Sequence, residues 1–311
     1  MRTAFVERLT ELAVSDPRIV LLTGDLGFGV LDSFEKAVPR QFLNVGVAEQ
    51  NMTAVATGMA LEGFVTFTYS IGNFPTLRCL EQLRNDALYH KANVNVVSVG
   101  GGFSYGQLGM SHHATEDLSI LRALPGVTLC APGSPYESRC LVEALVAHPG
   151  PGYLRLERGT PDFLDDARVP CELGRARMLR DGSACTLIAT GGILAEVVAA
   201  AAILELQGVS CRVLSVHTLK PLDTEAIAAA AAETGGICTV EENTILGGLG
   251  GAVAEVCLES RVRPRRFQRL GIRDSYTSIV GDQAYLRRTT GIHRQGIVEA
   301  VAALLVYPPA R

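Results

Sequence analysis

The chain has 311 residues, 48% of them hydrophobic and 19% charged, with a formal net charge of −4. That composition leaves room for two packed domains and excludes a disordered chain. Lys and Arg are scattered apart from a patch at 261–269 that has no interleaved aromatics, so it reads as a solvated turn before a strand and no nucleic-acid surface is expected.

The opening Met1-Arg2-Thr3-Ala4-Phe5-Val6-Glu7 reads as an amphipathic helix and not as a signal peptide. A helix over 4–14 stops before Asp16-Pro17, and 19–23 is a short apolar strand ended by Gly24-Asp25. After a loop at 26–30, a strand at 42–45 leads into a helix running to residue 60 and closed by Gly63. Between residues 47 and 60 the one ionisable side chain is Glu49. A helix so apolar on all sides is expected to be buried, which makes Glu49 a candidate desolvated carboxylate whose pKa burial would raise. The residues equally allow a carboxylate that complements the helix dipole.

A strand at 64–69, a helix at 76–89 and a strand at 94–99 follow. Then comes a loop with five glycines in ten residues (Gly100, Gly101, Gly102, Gly106, Gly109), which delivers His112 and His113 and then Glu116 and Asp117. A Gly-rich loop directly after a buried strand is where open α/β sheets bind ligands. It has neither dinucleotide spacing nor a Gly-Lys-Ser/Thr phosphate grip. Adjacent histidines point apart, so proton transfer or substrate hydrogen bonding suits one of them better than a shared metal; a flexible surface loop is the plain alternative.

Helices at 116–124 and 135–147 and strands at 127–130 and 153–156 complete a first α/β half, and Arg155 and Arg158 end its last strand. A guanidinium there can hold an anionic substrate group or pair with Glu157 or Asp162. The pattern lapses into Gly, Pro and Asp before a second half: strands at 184–189, 210–215, 236–240 and 267–270, and helices at 194–206, 224–232, 248–258 and 296–305. The apolar run 186–206 is broken by Gly191-Gly192 and Glu196, so it reads as strand, turn and helix and not as a membrane span. The glycine pair makes a tight turn or an anion nest. Glu241-Glu242-Asn243, with glycines after it, is either a strand-end site or a packing element. Eight cysteines include no C-x-x-C pair, and Cys130, Cys185, Cys211 and Cys238 lie in strand-like runs, which suits reduced thiols and a cytoplasmic setting. The fold class is α/β with two mainly parallel sheets: a domain at 1–158, a linker at 159–170 and a domain at 171–311.

The segment Asn44-Val45-Gly46-Val47-Ala48-Glu49-Gln50-Asn51-Met52, then Gly109-Met110-Ser111-His112-His113 with Glu116-Asp117, then Glu241-Glu242-Asn243, occur in an order that resembles the C-terminal half of transketolase across essentially the whole chain. The resemblance implies a pyrimidine-binding domain followed by a transketolase C-terminal domain. It implies that Glu49 activates the aminopyrimidine of thiamine diphosphate and that Tyr69 and Phe74 form the aromatic pocket. It also implies that His112 contacts a donor oxygen, that Arg158 binds a substrate phosphate, and that Asp25, Arg78 and His113 line the substrate cleft. The family's Gly-Asp-Gly…Asn motif for Mg²⁺ and the diphosphate does not occur, so the resemblance implies a separate N-terminal partner subunit holding both, in an α2β2 assembly that acts on small sugar-like substrates. Gly100-Gly101-Gly102 and Leu108 stand where the family places charged substrate readers, which implies a substrate unlike an ordinary pentose phosphate, even an unphosphorylated one. A 2-oxoacid dehydrogenase β subunit, a deoxyxylulose-phosphate-synthase-like enzyme and a non-catalytic scaffold are the other readings; the presence of Glu49 argues against the last.

Overall fold

The computed structural model describes residues 1–159, 163, 165 and 167–306, so Asp162 and four other residues of the central linker lie outside the described residues. In the first half α1 (Arg2–Ser15), β1 (Ile19–Thr23), α2 (Asp32–Ala37), β2 (Phe42–Asn44), α3 (Glu49–Leu61) and β3 (Val65–Ile71) come first. They are followed by α4 (Leu80–Gln82), β4 (Val94–Val99), α5 (Asp117–Ala123), β5 (Thr128–Cys130), α6 (Pro135–Ala147) and β6 (Gly152–Leu156). The second half contains β7 (Arg177–Arg180), β8 (Cys185–Thr190), α7 (Leu194–Leu206), β9 (Cys211–Ser215), β10 (Thr218–Lys220) and α8 (Thr224–Glu233). It ends with β11 (Ile237–Thr244), α9 (Leu249–Glu259), β12 (Phe267–Ile272), α10 (Gln283–Thr289) and α11 (Arg294–Val306).

The α/β expectation holds, with two mainly parallel sheets ordered β10-β5-β6-β4-β3-β1-β2 and β12-β11-β8-β9-β7. Each carries one antiparallel edge strand, β10 on β5 and β7 on β9. β10 comes from the second half yet finishes the first sheet, so the halves are joined by backbone hydrogen bonds as well as by side chains. One apolar core underlies α1 and α6 on the outer face of the first sheet, and another underlies α7 and α11 on the outer face of the second. Between the sheets a third core combines Met52, Leu83 and Leu121 with Ile227, Leu249 and Val253. Among the described residues no helix is long and apolar enough to cross a membrane.

Two expectations need correction. The helix at 76–89 begins only at Leu80, after the Thr76–Cys79 turn, and widens into a π-helical stretch at Leu83–Leu88. The helix carrying Glu49 is not buried on all sides. Met52, Thr53, Ala56 and Thr57 face the core, whereas Ala54, Gly58 and Leu61 are open and Val47 just before it is 74% exposed. Among the described residues its apolar outer face thus has no cover.

Candidate functional site

β1, β3, β4 and β6 are parallel, so Gly24, Gly72, Gly100 and Glu157 emerge at one edge of the first sheet, and the predicted site residues collect there. Glu49 occupies the first turn of α3, beside Gly24, and is 3% exposed. The helix dipole favours a carboxylate at this position. Burial does not leave it unpaired: Arg78 donates from Nη1 to Oε2 at 2.7 Å. Oε1 has no protein partner among the described residues.

Arg78 begins a line of contacts across the sheet edge. Its guanidinium lies 4.7 Å from the centroid of the half-buried Phe74 ring, and that ring meets His112 edge-on with centroids 5.4 Å apart. His112, half-exposed, shares a hydrogen bond with Ser111 Oγ through Nδ1 at 3.0 Å, and its ring lies 6.4 Å from Tyr105. Arg158 then covers Tyr105 at 5.6 Å. The structure therefore brings Glu49, Arg78, Phe74, His112 and Arg158 into one row.

The remaining predicted residues lie off this row. Tyr69 belongs to the core layer beneath α1, stacked on Phe5 at 6.1 Å, while α3 packs on the opposite face of the sheet. Burial holds its hydroxyl well above the usual phenol range, partly offset by Arg2. Asp25 is exposed with φ of 57°, a left-handed conformation that Asp tolerates, and accepts from Asn44 Nδ2 at 3.1 Å. His113 is buried, with Nε2 3.4 Å from the Gly106 carbonyl, and burial lowers its pKa from the ordinary histidine value.

Gly100-Gly101-Gly102 does not open space for a substrate. A Cβ on Gly100 would meet the Tyr105 ring at 2.2 Å, one on Gly101 the Arg155 side chain at 2.1 Å, and one on Gly102 Glu242 at 2.5 Å. Arg155 is accordingly buried, 3.4 Å from Asp117, and does not face a ligand. The Gly191-Gly192 nest is filled too: Gly192 N–H donates to Glu157 at 3.1 Å. Glu241-Glu242-Asn243 lies inside β11, buried, and not after it.

Sequence reasoning missed Arg2. It enters with Arg158, Tyr105, Gln107 and Gln283 the lining of a cleft of about 320 Å³ at the end of the contact row. Among the described residues neither Arg2 nor Arg158 has an ion-pair partner. Read as part of an amphipathic helix, Arg2 gave no signal; its place depends on α1 running antiparallel to β1, which brings its first turn to the same sheet edge.

Residues 1–161 match the transketolase pyrimidine-binding domain and residues 174–297 the transketolase C-terminal domain. The chain is 37% identical over 301 residues to the 6-deoxy-6-sulfo-D-fructose transketolase subunit of Clostridium sp. (strain MSTE9), covering 96% of this chain and 92% of that one. It is also 37% identical over 298 residues to an apulose-4-phosphate transketolase subunit of Phocaeicola vulgatus, covering 95% and 94%. A solved split gene transketolase, an inactive beta4 tetramer, shares the fold with a TM-score of 0.89 at 34% identity, over 98% of this chain and 97% of that one. With both domain matches, relatives of its own length and a shared two-domain fold, the chain belongs to the transketolase family and has the domain arrangement of a split-transketolase subunit.

Proposed function

We propose that this chain is one component of a two-subunit, thiamine-diphosphate-dependent ketol transferase whose donor or acceptor carries a terminal oxyanion. Glu49 carries the reading: a buried carboxylate at a helix N-terminus, with Oε1 free of protein partners among the described residues, on a helix whose outer face is open to a second chain. The residues present fit the pyrimidine end of the cofactor, with Glu49 Oε1 to accept from the ring nitrogen N1′ and Phe74 as the adjacent apolar wall. Bound there, thiamine diphosphate would supply a nucleophilic carbon for moving a two-carbon ketol unit from a ketose-type donor to an aldehyde. Glu49 would share a proton with the pyrimidine nitrogen, and Arg78 fixes the carboxylate through its other oxygen. His112, half-exposed beside Phe74, exchanges a proton with a substrate oxygen; His113 supports the loop from within, and Asp25 lines the entrance. Tyr69 packs in the core beneath α1 and is left out of the pyrimidine wall. We assign Mg²⁺ and the diphosphate to the partner subunit, because the Gly-Asp-Gly…Asn motif that holds them in the family does not occur in this sequence.

Arg2 and Arg158 favour a charged substrate over an unphosphorylated one, because two guanidinium groups without ion-pair partners among the described residues, in one cleft, suit a phosphate or a sulfonate. The relatives' names agree, one specifying a sulfonated ketose and the other a sugar phosphate. The test is reconstitution with the co-expressed partner and assay of ketol transfer from phosphorylated, sulfonated and uncharged ketoses. Glu49→Gln is expected to lower kcat by roughly 100-fold or more, the range of lost proton-transfer catalysis. Undiminished turnover in that variant sinks the reading.

A further inference from the structure

Glu242 takes no part in the chemistry proposed above, yet it reaches from the second domain into the loop that carries both histidines. It is 2% exposed. Its Oε1 accepts from the Phe103 amide at 2.7 Å and from Gln283 Nε2 at 3.0 Å. Its Oε2 accepts from Arg287 Nε at 2.8 Å and Nη2 at 2.5 Å. The Glu242 carbonyl accepts from Arg155 Nη2 at 2.7 Å, and Arg155 fills the space over Gly101. Charge-assisted hydrogen bonds in a buried site are among the strongest a backbone amide makes.

The held segment leads directly to the histidines. Phe103 is fully buried in an apolar pocket with Ile272 and Leu286 of the second domain, and its ring meets His113 edge-on at 5.1 Å. Gly102 and Ala114 exchange backbone hydrogen bonds at 2.8 and 3.1 Å, so a shift at Gly102 passes to the residue following His113. On the other side, Asn73 Nδ2 donates to the His113 carbonyl at 2.6 Å. The loop is thus clamped from both domains, and Glu242 is the charged jaw on the far side.

We propose that Glu242 is a positioning residue: it fixes the loop from Gly101 to Ala114, and with it His112 and His113, in the arrangement ketol transfer requires. This rests on His112 facing the substrate, as argued above. It gives the C-terminal domain a part in the reaction through the loop that Glu242 holds.

The test uses Glu242→Ala in the reconstituted enzyme. Arg287 keeps Glu157 at 3.3 Å in that variant, so its charge stays paired. Diethyl pyrocarbonate labelling read by mass spectrometry follows His113, with fully buried His217 as a monitor of global unfolding and exposed His90 as a monitor of the reagent. The expected result is about tenfold faster labelling of His113 with His217 still protected. With it, kcat should fall about tenfold or more while KM stays within about threefold, since misplacement of a reacting group is felt in turnover. Glu242→Gln, which keeps an acceptor for the Phe103 amide, should recover part of both. Should His113 stay protected and kcat intact in Glu242→Ala, the positioning role is overturned. If His217 becomes reactive as well, the same two measurements on Glu242→Gln decide, and a protected His113 with full kcat there overturns it equally. Glu49→Gln run in parallel separates the two readings: full activity there removes the ketol-transfer assignment and leaves the labelling of His113 as a test of the clamp alone.

Discussion

Glu49 and Glu241 both face the N-terminus of a helix, and their surroundings give them different properties. Glu49 meets α3 beside the exposed half of Arg78, whereas Glu241 is fully buried and accepts from the amides of Leu249 and Gly250, each at 2.8 Å. Burial outweighs those amides and pushes the Glu241 carboxyl up to about 7 from its ordinary 4.5. The native state therefore keeps a proton that the unfolded chain releases, and stability falls as pH rises through the window from 4.5 to about 7. Urea unfolding at the two ends of that window should show the fall, and Glu241→Gln should flatten it. At the cleft, Arg158→Ala is expected to raise KM for an anionic substrate about tenfold or more, the worth of a charged hydrogen bond, with a smaller change for an uncharged analogue. Steady-state kinetics with the two substrates checks this. Arg2 was invisible as a site residue because nothing in Met1–Glu7 distinguishes a surface arginine from one turned towards a cleft.

At the scale of elements, α3 is the informative case. Its sequence is apolar enough to be called buried, yet the described residues cover only one of its faces. The composition was read correctly, but which chain provides the cover is not written in the helix. A Cβ at Gly58 would meet nothing within 4 Å, so Gly58→Arg should leave the chain folded, with roughly 0.5 kcal/mol or more gained in helix propensity. It should nonetheless block assembly, visible as loss of co-purification with the partner and a later-eluting species on size exclusion. Helices with local start signals were legible in the sequence. Pro135–Ala147 is capped by Ser134, whose hydroxyl accepts from the Glu137 amide, and Leu194–Leu206 follows the Gly191-Gly192 turn. β10 was not legible, because three residues make a strand only by pairing with β5 some 90 positions away in sequence. α10 was missed for a related reason: Leu286, its buried apolar anchor, packs against Phe103 in the other half of the chain.

At the scale of the molecule, the two halves share a core, a sheet and a buried set of charges. Glu157 and Glu242 share Arg287 at 3.3 and 2.5 Å, and burial together with the neighbouring Glu242 raises the pKa of Glu157. Removing the guanidinium leaves two buried carboxylates facing each other, so Arg287→Ala should cost about 3–5 kcal/mol, measurable as a lower denaturant midpoint. The two expected domains are therefore joined by buried contacts and a shared sheet as well as by the chain between them.

The placement of β10 has a consequence for the order in which the chain is made. When the ribosome has delivered the whole of β6, the first sheet still ends in β5 with one side of Thr128–Cys130 unpaired. That edge waits until Thr218–Lys220 has emerged, and an unpaired strand edge is a template for adhesion to other chains. The nascent polypeptide thus passes through a stretch of synthesis in which its first half has its helices but not its final strand, and protection of that edge falls to whatever attends it on the way out.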